Sequence, residues 1–132
     1  MSTETKQTAS FTITGRLDGL NEYTRKCRSN KYAGAQMKEK NENIVKLAIY
    51  RSVGTGTRYP RFERKVHITY KWYEETKRRD LDNIAFAKKF IQDALVGYGV
   101  LEGDGWRHIA GFTDEFYIDK ENPRIEVTIS EV

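Results

Sequence analysis

The residues best suited to chemistry form an acidic segment and, later in the chain, an acidic turn. The segment reads Arg78-Arg79-Asp80-Leu81-Asp82-Asn83, and the turn reads Glu102-Gly103-Asp104-Gly105. Asp80 and Asp82 project to one side if the backbone is extended, because side chains alternate along a strand. Asp104 can complete a site made only of oxygen ligands, which Mg²⁺ takes together with waters and a substrate phosphate. The pattern predicts a metal-dependent phosphodiesterase acting on nucleic acid.

A structural interpretation of the same aspartates remains open. An aspartate before a helix is a favoured N-cap, worth about 0.5–2 kcal/mol. Capping explains one aspartate, but it explains neither the second nor Asn83 beside it. The neighbouring cations favour the phosphodiesterase, because they can hold a polyanion against a metal; they are Arg78, Arg79, Lys88 and Lys89.

Composition indicates one globular domain. The chain has 132 residues, of which 38% are hydrophobic and 32% charged, so it can bury a modest core. One cysteine excludes an internal disulfide, and with two histidines a zinc site is not expected. No apolar run approaches the ~18 residues of a membrane span. Residues 1–10 are polar and lack a secretory h-region, so we expect a cytoplasmic protein with a flexible leader at residues 1–9 and one domain at 10–132.

Charge is unevenly distributed. The whole chain carries +4, whereas residues 100–132 hold eight acidic and three basic residues, a net of −5. Residues 1–99 therefore carry +9. This asymmetry suggests a basic face for phosphate contacts, although a basic isoelectric point alone is common.

Hydrophobic periodicity predicts an α+β fold of order β-α-β-α-β-β, with a small mixed four-stranded sheet and two helices on one face. A loop is expected at residues 18–35, and Gly54-Thr55-Gly56-Thr57 should end the first helix. Asp82 should cap the second helix, and the last two strands should form a closing hairpin. The predicted strands are 11–14, 65–73, 108–118 and 124–129, and the predicted helices are 36–52 and 82–95.

The chain resembles the RusA-type Holliday junction resolvases of bacteria and their prophages. The resemblance runs from Phe11 to the C-terminus and is carried mainly by Arg79-Asp80-Leu81-Asp82-Asn83, Asp93-Ala94-Leu95, Gly99 and Asp104. It implies that Asp80, Asp82 and the acidic turn bind Mg²⁺, that a helix lysine is needed for cleavage, and that the protein is a homodimer. Family members usually have two aspartates in the turn, so Glu102 is a candidate for the first of them.

The position of the helix lysine follows from counting within this resemblance. Counting back four residues from Asp93 gives Lys89, whereas counting forward from Asn83 gives Phe86, which cannot serve. One inserted helical turn preserves the facing of the side chain, so Lys89 is preferred and Lys88 is the reserve.

An early segment rich in cations is the second candidate site. It contains tyrosines that could stack on exposed bases, although they could equally cover the edge of the core. The residues assigned to nucleic-acid binding are Asn21, Tyr23, Arg25, Lys26, Arg28, Lys31, Arg78, Arg79 and Lys88.

These observations lead to one expected function and two alternatives. We expect a Mg²⁺-dependent endonuclease, with Mn²⁺ as a possible substitute, that nicks four-way DNA junctions in recombination and repair. Asp80, Asp82 and Asp104 would hold metal, and Lys89 would act in cleavage. The alternatives are a catalytically inactive protein of the same fold that binds branched DNA, and a structural domain whose aspartates cap a helix. Helix faces around Ile44–Ile49 and at Phe86 and Phe90 are expected to form the dimer.

Overall fold

The computed structural model describes residues 5–53 and 58–132. In this part of the chain, four strands and four helices follow the order β-α-α-β-α-α-β-β. They are β1 (Thr8–Thr14), α1 (Leu20–Ser29), α2 (Ala33–Arg51), β2 (Val66–Glu74), α3 (Leu81–Ala85), α4 (Lys88–Tyr98), β3 (Ile109–Ile118) and β4 (Arg124–Glu131). The predicted α+β class is confirmed. The predicted break at residues 54–57 and the start of the predicted leader lie outside the described residues.

The strands form one mixed sheet in the order β1-β4-β2-β3. β4 runs antiparallel to both of its neighbours, β1 and β2. β2 and β3 are parallel, because α3 and α4 carry the chain back along the sheet before β3 begins. The predicted mixed four-stranded sheet is therefore confirmed.

One face of the sheet is covered by helices and the other is polar. Along β2, Val66, Ile68, Tyr70 and Trp72 are buried, and the residues between them are half-buried. This alternation is what a strand covered on one side requires. Helix α2 packs against α4 and β1 over the buried face. The core is therefore a single layer between the sheet and these helices.

The loop predicted at residues 18–35 is wrong, because α1 and the start of α2 lie there. α1 has no fully buried residue, and its apolar residues Leu20, Tyr23 and Cys27, although at helical spacing, stand in a segment that is otherwise polar and favoured a loop. Local hydrogen bonds hold its start: the Gly19 N–H donates to Glu22 Oε2 at 3.2 Å, and the Tyr23 N–H donates to the Gly19 carbonyl at 3.1 Å.

The single helix predicted over 82–95 is two helices. The break falls at Phe86 and Ala87, where the N–H groups of Ala87, Lys89 and Phe90 each donate to the carbonyl three residues earlier. Such tighter turns commonly join helical segments. At the break Phe86 packs on Tyr23 and Phe90, with ring centroids 5.4 and 5.6 Å away.

The predicted closing hairpin is also wrong. β3 and β4 are adjacent in sequence, but β2 lies between them in the sheet. The turn after β3 crosses the end of β2, where the Asp119 N–H donates to the Glu74 carbonyl at 2.8 Å. The sequence between β3 and β4 predicts a turn, but it does not show which strands β3 and β4 pair with in the sheet.

Phe90 does not belong to a dimer surface, contrary to the prediction. Its side chain is buried, and it meets Tyr23 and Phe86 within the same chain. On α2, Val45 and Ile49 are likewise buried in the core. What the predicted stripe leaves exposed is Ile44 and Leu47, followed by Tyr50.

Candidate nucleic-acid interface

Asp80 and Asp82 lie in the turn that leads from β2 into α3. Asp80 is the residue before the helix, with an extended backbone, and its carboxylate makes no capping hydrogen bond. Asp82, expected to be the cap, lies inside the first turn, and its Oδ1 accepts a hydrogen bond from the Asn83 N–H at 3.0 Å. Both side chains are exposed, and neither forms a salt bridge within residues 5–53 and 58–132. Helix capping by side chains therefore does not account for this acidic pair.

A cleft of about 740 Å³ opens beside Asp80 at the end of the parallel strand pair. One wall is apolar and comes from α3 and β3, and the other is polar. The lining residues are Glu74, Thr76, Lys77, Arg79, Asp80, Leu81, Ile84, Phe116, Tyr117 and Ile118. The cleft thus places a carboxylate between a cationic rim and an apolar surface.

Arg79 is part of a buried ion pair. Its Nε and Nη2 donate to the two carboxylate oxygens of Glu74 at 3.0 and 2.9 Å, and its Nη1 donates to the Leu17 carbonyl at 3.2 Å. Each charged side chain is 9% exposed. The guanidinium is thus engaged by Glu74, and DNA binding by Arg79 stays a prediction. Arg78 differs, because its side chain is exposed.

Asn83 joins the acidic segment to α1. Its side chain is buried, and its Oδ1 accepts a hydrogen bond from the Asn21 N–H at 2.9 Å. The approach is close: a Cβ at position 19 would lie 2.6 Å from Asn83 Oδ1, so the structure needs Gly19 there. Asn21, predicted to bind nucleic acid, thereby connects the start of the basic helix α1 to the Asp80–Asp82 turn.

Lys89 and Asp104, two of the predicted catalytic residues, lie together. Lys89 Nζ is 3.7 Å from Asp104 Oδ2 and 3.3 Å from Asp93 Oδ1. Asp93 also receives Lys38 at 3.4 Å, and its carboxylate raises the pKa of Lys38. Lys89 is 58% exposed, so its ammonium can still reach a ligand from solvent.

The three predicted metal ligands do not converge. Among the described residues, no three side chains of Asp, Glu, His or Cys gather in a way that could hold an ion. Asp104 is held at Lys89, away from any such cluster. Glu102, the candidate for the missing turn aspartate, pairs with Arg61 at 2.9 Å instead. The three-carboxylate site therefore stays a prediction, and the donor set that the structure offers is Asp80 with Asp82.

Lys88 forms its contacts within the protein in this structure. It forms an ion pair with Asp114, which also accepts a hydrogen bond from Trp72 Nε1 at 2.8 Å. Its ammonium lies 4.0 Å from the centroid of the Phe112 ring. The side chain is thus packed against residues of β2 and β3, and its contact with DNA stays a prediction. Of the two lysine candidates, Lys89 is the exposed one.

The basic segment is a helix that presents its cations to solvent. Arg25, Lys26 and Arg28 on α1, and Lys31 just after it, are exposed and have no carboxylate within 4.0 Å among the described residues. Tyr23 packs on Phe86 and Phe90, which agrees with the alternative that it covers the edge of the core, and its role in base stacking stays a prediction. The four cations remain candidates for phosphate contacts.

The fold and these surfaces define a small α+β protein with an exposed acidic pair, an exposed lysine and a basic helix, the features expected of a nuclease. The family model described as endodeoxyribonuclease RusA matches residues 5–130, and the chain belongs to this family. Membership implies Holliday junction resolving endonuclease activity. No curated protein matches the chain. Within the described residues, no helix is long and apolar enough to cross a membrane.

Sequence reasoning did not identify the side chains that support the motif. Glu74 pairs with Arg79, Asp114 pairs with Lys88, and Asn41 forms hydrogen bonds with Asp18. The sequence did contain one indication of the role of Glu74. The alternation of β2 places a buried residue at this position, and the residue there is charged. A buried charge needs a partner, and the arginines downstream were the nearest choice.

Proposed function

We propose that this protein is a Mg²⁺-dependent, structure-selective endonuclease that nicks four-way DNA junctions in recombination and repair, acting in the cytoplasm. Mn²⁺ would substitute for Mg²⁺. The observation that carries the proposal is the exposed pair Asp80 and Asp82, which makes no helix-capping side-chain bond and no salt bridge to any residue that the structure describes, in a chain matched by the RusA family over residues 5–130. Both carboxylates are exposed, and Asp80 lines the cleft, so an ion can reach them from solvent.

The carboxylates of Asp80 and Asp82 suit a hard divalent ion that takes its other ligands from water and substrate. Mg²⁺ is commonly held by one or two carboxylates, waters and substrate phosphates, which Asp80 and Asp82 with a bound phosphodiester can supply. Asp104 would join them only by leaving Lys89. When bound, the ion supplies positive charge beside the phosphate and favours deprotonation of the attacking water.

The cations of the chain would bind and orient the DNA. The exposed residues Arg25, Lys26, Arg28 and Lys31 are placed by α1, which is tied to the Asp80–Asp82 turn through Asn83. Phosphate contacts of this kind fix register without reading sequence. Lys89 would stabilise the negative charge that develops on the phosphate, because its ammonium is exposed and adjacent to Asp104.

We further propose a homodimer. One chain offers one acidic pair, whereas resolving a four-way junction takes two matched nicks in opposing strands. A two-fold dimer supplies two equivalent sites with the symmetry of the junction. Ile44, Leu47 and Tyr50 on α2 are exposed apolar residues that such an interface could bury.

The test is nicking of a synthetic four-way junction, with Mg²⁺ and with a chelator. Asp82→Asn should lower the nicking rate by at least about a hundredfold while leaving junction affinity within about twofold, because it removes a metal charge and no phosphate contact. Glu121→Gln, an exposed acid in the β3–β4 turn, is the matched control and should nick normally.

The same assay separates the two candidate functions. The alternative, a catalytically inactive protein that binds branched DNA, is favoured by one observation: Asp104 is held by Lys89 and the three carboxylates do not meet. A wild-type protein that binds the junction but never nicks it with either ion would establish this alternative. Normal nicking by Asp82→Asn would show that the site is assigned wrongly.

A further inference from the structure

The turn between α4 and β3 is a closed structure. The Gly105 carbonyl accepts hydrogen bonds from the N–H groups of His108 and Ile109, both at 3.0 Å. Gly103 lies against His108 so closely that a Cβ there would be 2.8 Å from the imidazole Cδ2. Asp104 is tied to Lys89 on α4. The turn therefore has a defined shape, and its tip is held beside the lysine that we assign to cleavage.

Trp106 projects from this turn into solvent. Its side chain is 92% exposed, whereas Trp72, the other tryptophan of the chain, is 1% exposed. Tryptophan is among the residues with most to gain from contact, because its ring is large and apolar with one polar atom. Arg107 beside it is also exposed. The indole of Trp106 is therefore exposed on a turn that hydrogen bonds hold in shape, and it is available to contact another molecule.

We propose that Trp106 stacks on an unpaired base of the DNA substrate, in a nucleotide next to the phosphate that Lys89 binds. The inference rests on the proposed function. Trp106 is two residues from Asp104, so its backbone lies within about 7 Å of that of a residue paired with Lys89. A nucleotide whose phosphate binds Lys89 therefore has its base within reach of the indole.

The chemistry of the partner is that of a base face. Every base has a π-face, so stacking on an aromatic side chain tolerates any sequence. At the branch point of a four-way junction the stack of bases is interrupted, which exposes such faces, whereas a continuous duplex does not. Trp106 would thus favour branched over linear DNA without selecting a base. Arg107 adds positive charge for the adjoining phosphate.

The experiment uses the fluorescence of the protein itself. Trp72 is buried and hydrogen-bonded, so emission that responds to solvent quenchers comes from Trp106. A synthetic four-way junction is titrated into the wild-type protein in chelator, and a linear duplex of equal length and charge serves as the control. We expect the junction to quench Trp106 with the same midpoint as an independent anisotropy titration, and the duplex to quench it weakly.

Variants at position 106 identify the interaction. Trp106→Ala should weaken junction binding about tenfold, and Trp106→Phe should recover most of that loss. Neither should change the slope of log affinity against log salt, because no charge is removed. Arg107→Ala is the contrasting variant, since losing a phosphate contact should reduce that slope by about one.

Three results would overturn the proposal. If the wild-type protein binds and nicks the junction while Trp106 emission stays unchanged at saturation, the stacking inference fails alone. If the emission instead shifts with protein concentration in the absence of DNA, the indole is covered by a second copy of the chain and not by a base. If no junction is bound at all, the proposed function fails together with this inference.

Discussion

The ion pair between Arg79 and Glu74 leads to a prediction about stability. Arginines beside an acidic site are usually assigned to phosphate binding, but Arg79 is expected to stabilise the fold. Arg79 forms two parallel hydrogen bonds with the Glu74 carboxylate and a third with the Leu17 carbonyl. Both charged side chains are 9% exposed. Arg78, one residue earlier, is exposed. Two adjacent arginines should therefore respond in opposite ways to the same substitution.

The cost of Arg79→Ala follows from what remains behind. The substitution leaves the Glu74 carboxylate buried and unpaired, and breaking a buried pair in this way costs about 3–5 kcal/mol. For a chain of this length the loss corresponds to a fall in melting temperature of about 10–20 °C. Arg78→Ala removes no such contact, so the free energy of unfolding should change by less than about 0.5 kcal/mol.

Urea denaturation and DNA titration together test the contrast. Arg79→Ala should unfold at a lower urea midpoint with an unchanged m-value. Arg78→Ala should keep the wild-type midpoint but reduce the slope of log affinity against log salt by about one. An Arg79→Ala protein of wild-type stability whose salt slope falls by about one would refute the reasoning, because it would mean that the guanidinium leaves Glu74 to contact phosphate.

Two further predictions concern assembly and pH. Leu47→Glu places a charge on the exposed apolar face of α2 and should prevent dimer formation there. Sedimentation equilibrium should give the monomer mass of 15.4 kDa for the variant and twice that mass for the wild type. Equal masses for the two proteins would exclude this interface. Burial opposes the ionisation of Asp18, but hydrogen bonding with Asn41 and other contacts outweigh it and lower its pKa below 3.8. The ionised carboxylate therefore stabilises the fold above that pH, and this stability is lost as the pH falls through the lowered pKa. Between pH 5 and pH 2, Asp18→Asn should lose less free energy of unfolding than the wild type, and parallel losses would contradict the assignment.

The strands and the main helices could be predicted because their signals are local. β2 alternates between buried and half-buried residues, and α2 carries Val45 and Ile49 on one face. α1 was missed because its sequence is mostly polar and Tyr23 is the residue through which it packs on Phe86 and Phe90. The neighbours of β3 and β4 were not predictable either, because the position of β2 between them depends on the crossover through α3 and α4.

The sequence names the residues of the candidate site, which stay a prediction, but it does not give their contacts. The motif identified Asp80 and Asp82, and counting from Asp93 selected Lys89, which the structure brings to Asp104. The sequence could not show that Arg79 forms a buried ion pair with Glu74. The position of Arg79 beside the aspartates suggested that it binds DNA. Its ion-pair partner, Glu74, lies on the other side of the turn after β2, and the pairing becomes evident only because both side chains are buried.

The position of β4 has a consequence for how the protein is made. β4 is the last strand in sequence, yet it lies inside the sheet and joins β1 to β2. Its register with β1, from Thr8 opposite Ser130 to Thr14 opposite Arg124, links the two ends of the chain. On a ribosome that adds about 5–20 residues per second, β1 cannot pair with β4 until residues 124–131 have emerged. The Asp80–Asp82 turn is synthesised well before β4, so a chain interrupted between them would carry these carboxylates on a sheet that lacks its inner strand β4.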